Sequence, residues 1–441
     1  MRMDISESAL DFSEQKKRSH PRVLIIAENA SLSIGGEAIL PVQWFVGLAK
    51  EGVEAHLLVH SRCKAELIRE LPQLRERMHF VPEKRLQTIV WKLGSRLPPH
   101  VRDFTTGWVV HLISQFMQRR AARVMVAKSS IDIIHQPTPV SPRLPSMLHG
   151  LGVPVIIGPM NGNMTYPPGS ASIRPISERI FVPVARFFSG VANRVIPGKL
   201  RAEMLLVANE RTKQAISRSY RGSVEVFCEN GVDPQVWRMS ECSSRHDVNR
   251  LRLVFVGRLE RWKGPSIALQ AFGEVKEQRP DAELWIIGDG PEMGRLKNEA
   301  KTMGLIDAVN FFGWLSREQC LQMMSQSDVM VFPSIHDCGG AVVLEAMAMG
   351  LPVVAVNWGG PSDYLAKGGG ILINPSNHER MAAEIAKVIL GLTPAERNEL
   401  GTVAQKIIIE HYTWPSKVRK IIDIYRSVCE AYRQSLGVGK T

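Results

Sequence analysis

Short apolar runs, each followed by a segment of helical period, constrain this chain more than any other feature. The first is Val23-Leu24-Ile25-Ile26-Ala27, which leads through Ser33-Ile34-Gly35-Gly36-Glu37 into a helical pattern from Ala38 to Lys50. Further runs stand at His56–Val59, Ile131–His135, Pro154–Gly158, Leu205–Ala208 and Val224–Phe227. A strand that is apolar along its whole length needs cover on both faces, which is the condition of a parallel sheet with crossover helices. The polar stretch Arg238–Asp247 then breaks the rhythm, and we place a linker there. Beyond it the alternation restarts, with strands expected at Leu253–Val256, Leu284–Ile287, Val309–Phe311, Val329–Phe332, Val353–Val356 and Ile371–Ile373. Helices over 265–278, 291–303, 316–325 and 341–348 connect them, and a helical pattern from Trp414 to Tyr432 closes the chain. The expectation is an α/β protein of two Rossmann-like doubly wound domains, 21–238 and 250–412, behind a tail at 1–20. The last helix, 415–434, would cross back onto the first domain.

Several classes are excluded. No run approaches the ~20 apolar residues of a membrane-spanning helix, and the first twenty residues lack the apolar centre of a secretory signal. Six cysteines lie scattered with no C-x-x-C pair, which argues against a zinc cluster or a disulfide framework and for a reducing cytoplasm. Charge is uneven. Residues 1–200 carry 26 Lys/Arg against 15 Asp/Glu, whereas the rest carry 29 against 28. Within 61–130 there are 14 basic and 5 acidic side chains. A basic half beside a neutral half points to an anionic partner for the first half; the plain alternative is a solvated surface. Trp108–Arg120 and Ile180–Phe188 combine apolar and aromatic residues with basic ends. Such segments suit either an anionic membrane surface or the interior of the first domain. No nucleic-acid recognition motif is present.

Three places in the second half join glycine to a strand-to-helix switch. Gly257-Arg258-Leu259-Glu260-Arg261-Trp262-Lys263-Gly264 follows a strand, so Arg258 and Lys263 belong at the carboxyl edge of the sheet, where open α/β sheets bind ligands. Two such cations suit a diphosphate or are ordinary surface charges. Gly288-Asp289-Gly290-Pro291 resembles a dinucleotide fingerprint but has Met293 at its last position, and it reads as a tight structural turn. Asp337-Cys338-Gly339-Gly340 opens the third switch, where a helix start can hold phosphate. Glu345, in the otherwise apolar helix that follows, suits the vicinal hydroxyls of a ribose.

Together these residues resemble the retaining nucleotide-sugar glycosyltransferases of family 4, which have the GT-B architecture of two Rossmann-like domains facing a central cleft. The family hallmark Glu-x(7)-Glu reads Asp337-x(7)-Glu345 here, with Asp for the usual first Glu. Its G-R-L-x-x-x-K-G loop is Gly257–Gly264. Asn230–Asp233, Gly313-Trp314-Leu315, Gly359-Gly360-Pro361, Tyr412–Trp414, Gly35-Gly36 and His135-Gln136-Pro137 extend the likeness over 22–430.

The resemblance implies a donor that is a UDP- or GDP-sugar and transfer of its hexose with retention, without a metal cofactor. By resemblance, Arg258 and Lys263 neutralise the diphosphate, Glu345 holds the ribose, His135 contacts the donor sugar and Asp337 its hydroxyls. Gly35, Gly36, Trp314, Gly339, Gly340 and Ala341 complete the implied donor contacts. The acceptor implied by the basic first half is a glycan or a lipid-linked precursor, with the enzyme peripheral on the inner membrane face. Competing readings are a nucleotide-sugar hydrolase or epimerase of the same fold, an NAD-dependent oxidoreductase built on Gly288-x-Gly290, and an inert binding subunit.

Overall fold

The computed structural model describes residues 19–33, 36–95, 102, 105–168, 189–234, 236–237 and 250–437. The linker placed at Arg238–Asp247, the segment Ile180–Phe188, the tail before residue 19 and Gly35 fall outside them. The described residues within 1–162, 184–229 and 418–441 form one compact unit, and those within 163–183 and 230–417 form another.

The first unit is built on a seven-stranded parallel sheet in the order β3-β2-β1-β4-β5-β6-β7. Its strands are β1 (Val23–Ile26), β2 (Ala55–His60), β3 (Met78–Val81), β4 (Ile133–Gln136), β5 (Val155–Met160), β6 (Met204–Val207) and β7 (Ser223–Val226). All four residues of β1 are fully buried, as a central strand covered on both faces requires. It pairs through Val23 with Ala55 on one side and Ile133 on the other. Helix α1 (Leu40–Lys50) buries Trp44, Phe45 and Leu48. Helices α2 (Lys64–Glu70), α3 (Arg85–Gly94) and α4 (Thr106–Ser129) follow, and α5 (Glu210–Lys213) lies between β6 and β7.

The second unit carries a six-stranded parallel sheet in the order β10-β9-β8-β11-β12-β13. The strands are β8 (Arg252–Val256), β9 (Glu283–Ile287), β10 (Val309–Gly313), β11 (Val329–Phe332), β12 (Val353–Val356) and β13 (Gly370–Ile373). Between them run α6 (Pro265–Gln278), α7 (Met293–Thr302), α8 (Arg317–Ser325), α9 (Ala341–Ala348) and α10 (Gly359–Leu365). Helices α11 (His378–Gly391) and α12 (Pro394–Ile407) close the unit. One continuous core joins Leu253 and Phe255 of β8, Ile267 and Phe272 of α6, Val329 and Val331 of β11, and Ile385 of α11.

The long helix α13 (Trp414–Ser435) begins among second-unit residues, and from Val418 onward it belongs to the first unit. There Val418, Ile421, Ile422, Tyr425 and Val428 are buried at helical spacing. Both sheets thus have the doubly wound order of the GT-B class, with the chain reversing direction of growth between β1 and β4 and again between β8 and β11.

Candidate active site

In the second unit the reversal point lies between two adjacent strands, β8 and β11, and the loops leaving their carboxyl ends carry Arg258 and Lys263 on one and Asp337, Gly339 and Gly340 on the other. The loops are locked together. The Ile335 amide donates to the Trp262 carbonyl at 2.9 Å. Gly264, at φ 72°, sits so close to the second loop that a Cβ there would meet the Pro333 carbonyl oxygen at 2.5 Å. A larger residue would push the loops apart.

Across this junction Lys263 Nζ pairs with Asp337 Oδ2 at 2.5 Å, both side chains largely buried. The same ammonium lies 4.9 Å from the Trp262 ring centre and 5.5 Å from that of Phe332. These rings fix the cation while offering it only weak neutralisation. Arg258 is different: its side chain is 67% exposed, and its one ion pair among the described residues is with Glu260, at 3.2 Å. It can swing toward a ligand at little cost.

Helix α9 starts at Gly340, which has φ 70° and no side chain capping the helix. Its first amides are therefore directed outward at the positive end of the helix dipole. The Gly359-Gly360-Pro361 element supports this start from beneath: the Gly360 amide donates to the Asp337 carbonyl at 2.9 Å, and a Cβ on Gly360 would meet the Gly339 oxygen at 2.3 Å. One turn and a half along α9, Glu345 sits among buried Leu344, Ala346 and Met347. Its carboxyl makes no hydrogen bond or ion pair among the described residues. Burial pushes it up to about 7, with the Arg317 guanidinium pulling the other way. Ala341 and Gly339 adjoin the same helix start, and Trp314, 72% exposed, follows β10 at the same sheet edge.

The structure brings together Lys263, Asp337, Gly339, Gly340, Ala341 and Glu345, with Arg258 at the rim. His135 is a correction. At the end of β4 in the first unit it is fully buried, its Nε2 donating to the Gly158 carbonyl and its Nδ1 accepting from Tyr425 Oη, each at 2.6 Å. Burial lowers its pKa to about 4, so the ring is neutral. With both nitrogens committed to protein, it is a structural histidine and not a sugar ligand. Gly36, at φ 72°, opens the short 3-10 turn Gly36–Ile39 in the first unit.

Gly288-Asp289-Gly290 is held by backbone: the Gly288 amide donates to Gly313 at 2.8 Å, and the Leu259 amide to Asp289 at 3.0 Å. These bonds make it a junction between loops, as its sequence suggests. Three aromatic neighbours escaped sequence reasoning. Tyr166 stacks on His336 with ring centres 4.2 Å apart, Trp262 meets His336 edge-on at 6.3 Å, and Trp358 Nε1 donates to the Thr165 carbonyl at 2.7 Å. Adjacency to Lys263 and Gly359 is a weak signal for the tryptophans, and none marks Tyr166.

Residues 241–406 match the family described as glycosyl transferases group 1. The match is to this segment, less than half of the chain. The group 1 domain therefore holds the whole Lys263–Asp337–Glu345 cluster. Among curated relatives the chain is similar to a glycogen synthase of Mycobacterium tuberculosis, 27% identical over 206 residues, covering 46% of this chain and 49% of that protein. It is also 30% identical over 182 residues to a D-inositol 3-phosphate glycosyltransferase of Corynebacterium urealyticum, covering 40% and 42% of the two. The chain thus spans about half the length of the curated relatives it matches. Among solved structures it shares its fold with sucrose-phosphate synthase from Thermosynechococcus elongatus, at TM-score 0.65 and 18% identity over 93% of this chain and all of the other. HepE from Anabaena, in complex with UDP and glucose, aligns at TM-score 0.61 and 16% identity over 92% of this chain and 100% of its own.

Proposed function

We propose that this chain transfers a hexose from a nucleoside diphosphate sugar to a glycan or lipid-linked acceptor, with retention at the anomeric carbon. The observation that carries the reading is the Lys263–Asp337 pair at the uncapped start of α9 in a group 1 domain, with the unpartnered Glu345 carboxyl beyond it. The complex of HepE with UDP and glucose supports a uridine donor; a guanosine donor satisfies the same site chemistry.

In the reaction the anomeric C–O bond to the diphosphate breaks and its electron pair leaves with the phosphate oxygen. The acceptor oxygen forms the new bond and loses its proton. Negative charge on the leaving group therefore rises through the transition state, and stabilising it is the main task of the site. Lys263 has three N–H donors and gives one to Asp337, so two remain for phosphate oxygens. Arg258 supplies a second cation from the solvent side, and the first amides of α9 supply fixed dipoles. Asp337 orients the ammonium and accepts from hydroxyls of the sugar, while ionised Glu345 accepts from the ribose. These groups carry the positive charge without a metal ion, and no Asp-x-Asp occurs in the chain. We read the basic first half as facing an anionic membrane from the cytoplasmic side. No helix among the described residues is long and apolar enough to cross a membrane.

The test is release of nucleoside diphosphate from a panel of UDP- and GDP-sugars, with and without membrane extract as acceptor source. Release that depends on extract supports transfer. Equal release without acceptor points to a hydrolase, and none with any donor overturns the reading.

A further inference from the structure

Helix α3 is polarised the wrong way round for a helix facing water. Its packed side presents Gln87, 3% exposed, and buried Gly94. Gln87 Nε2 donates to Ser114 Oγ of α4 at 2.9 Å, and its Oε1 accepts from the Lys84 amide at 2.9 Å. Its outer side carries Leu86, Ile89 and Leu93, at 56, 55 and 65% exposure and at i, i+3, i+7 spacing, while exposed Trp91 stands on a different face of the helix. A helix on a water-facing surface normally buries that stripe and exposes the glutamine. Helix α4 buries polar Ser114, Gln115 and Gln118 beside apolar Val110 and Ala122, and leaves Val109 and Phe116 exposed.

Charge completes the picture. Residues 83–95 contain Lys84, Arg85 and Lys92 against one acid, Glu83, which accepts from Thr88 Oγ1 at 3.0 Å. Arg85 and Lys92 are exposed, and the Arg102 guanidinium lies 5.1 Å from the Trp91 ring centre. An apolar stripe bordered along one side by Arg85 and Lys92 fits the boundary between anionic headgroups and acyl chains. At ten residues the helix is long enough to lie in that boundary and too short to cross it. A second copy of this chain fits less well, because a two-fold contact would bring the same net-basic segment to both sides, with Glu83 as the one acid set against Lys84, Arg85 and Lys92.

We propose that α3 docks the first unit on an anionic lipid surface, Leu86, Ile89 and Leu93 entering the acyl boundary and Arg85 and Lys92 meeting lipid phosphates. The proposal rests on the membrane partner read from the charge balance and assigns it to one helix face. It differs from the sequence reading, which placed the contact on Trp108–Arg120 and Ile180–Phe188.

Flotation of the full chain with vesicles of phosphatidylglycerol and phosphatidylcholine, beside phosphatidylcholine alone, tests it. The wild type should float with the anionic vesicles and be released by high salt. Leu86→Glu/Ile89→Glu/Leu93→Glu should lower partitioning by roughly 100-fold with its melting temperature unchanged, since the side chains already face solvent. Arg85→Gln/Lys92→Gln should lower it less and flatten its salt dependence. If the wild type floats and the triple variant floats equally well, the membrane partner stands and the assignment to α3 falls. Absence of flotation overturns both. A wild-type dimer in sedimentation equilibrium that the triple variant abolishes also overturns the proposal in favour of a self-contact.

Discussion

Replacing Glu345 by glutamine should move stability and ligand affinity in opposite directions, each in a defined pH window. Burial holds the carboxyl at about 7, above its ordinary 4.5. The folded state therefore binds more protons than the unfolded state between these values, and stability falls as pH rises through that window. At 1.36 kcal/mol per unit, ionised Glu345 costs the fold about 3 kcal/mol above pH 7. Glu345→Gln removes the charge and keeps the shape. At pH 8 it should raise the melting temperature of the second unit by roughly 6–12 °C, and at pH 4.5 it should change it little. Nucleotide binding should respond the other way, because a ribose is held best by the ionised carboxyl. Affinity of wild type for nucleoside diphosphate should fall by up to tenfold per unit below pH 7, and Glu345→Gln at pH 8 should bind roughly 10–100-fold more weakly. Differential scanning fluorimetry across pH, beside calorimetry of UDP and GDP, reads both effects. A variant with wild-type melting at pH 8, or with unchanged nucleotide affinity, refutes the reasoning for that half.

Lys263→Ala should lower turnover by about 10²–10³ and cost ~1–3 kcal/mol in stability, since it strands the Asp337 carboxylate; initial rates and denaturant midpoints check this. Arg258→Ala should lower turnover in the same range but leave stability within about 0.5 kcal/mol, because its side chain is exposed. Asp337→Ala should leave nucleotide binding nearly intact and depress transfer from the full donor, and equal transfer would reduce the residue to a partner for Lys263 alone. Because His135 is neutral and its pKa is lowered to about 4 from 6.5, the unfolded state binds the extra proton between those values. Stability should therefore fall by up to about 3 kcal/mol as pH drops through that window, an acid sensitivity that His135→Gln should blunt in thermal melts.

What sequence could and could not show follows from the range of each interaction. Helices α6 and α9 begin and end where apolar period, Pro265 and the Gly339-Gly340 pair place them, because those signals are local. Strand β3 was missed: it is a four-residue edge strand whose His79 and Phe80 are only half-buried, too short and too polar for an apolar run. Helix α10 was missed because Gly359-Gly360-Pro361 reads as a loop, yet the close approach of Gly360 to Gly339 tolerates nothing larger. The Lys263–Asp337 pair joins residues 74 apart, which no periodicity reveals. His135 shows the limit most plainly. A histidine at a strand end looks the same whether it faces a ligand or Tyr425, 290 residues away on the last helix. The outward stripe of α3 was hidden for a related reason: an amphipathic pattern gives the angle between two faces but not which of them meets water.

The central claim is that the carboxyl edge of the second sheet holds a nucleoside diphosphate sugar between Lys263 and the start of α9. Calorimetric titration of UDP, GDP and their hexose conjugates in the presence of EDTA, on wild type and Lys263→Ala, tests it most directly. Saturable binding of one nucleotide series to chelator-treated wild type is expected, with a loss of at least tenfold in Lys263→Ala. Failure of every nucleotide to bind at millimolar concentration, or equal binding by the variant, would contradict it.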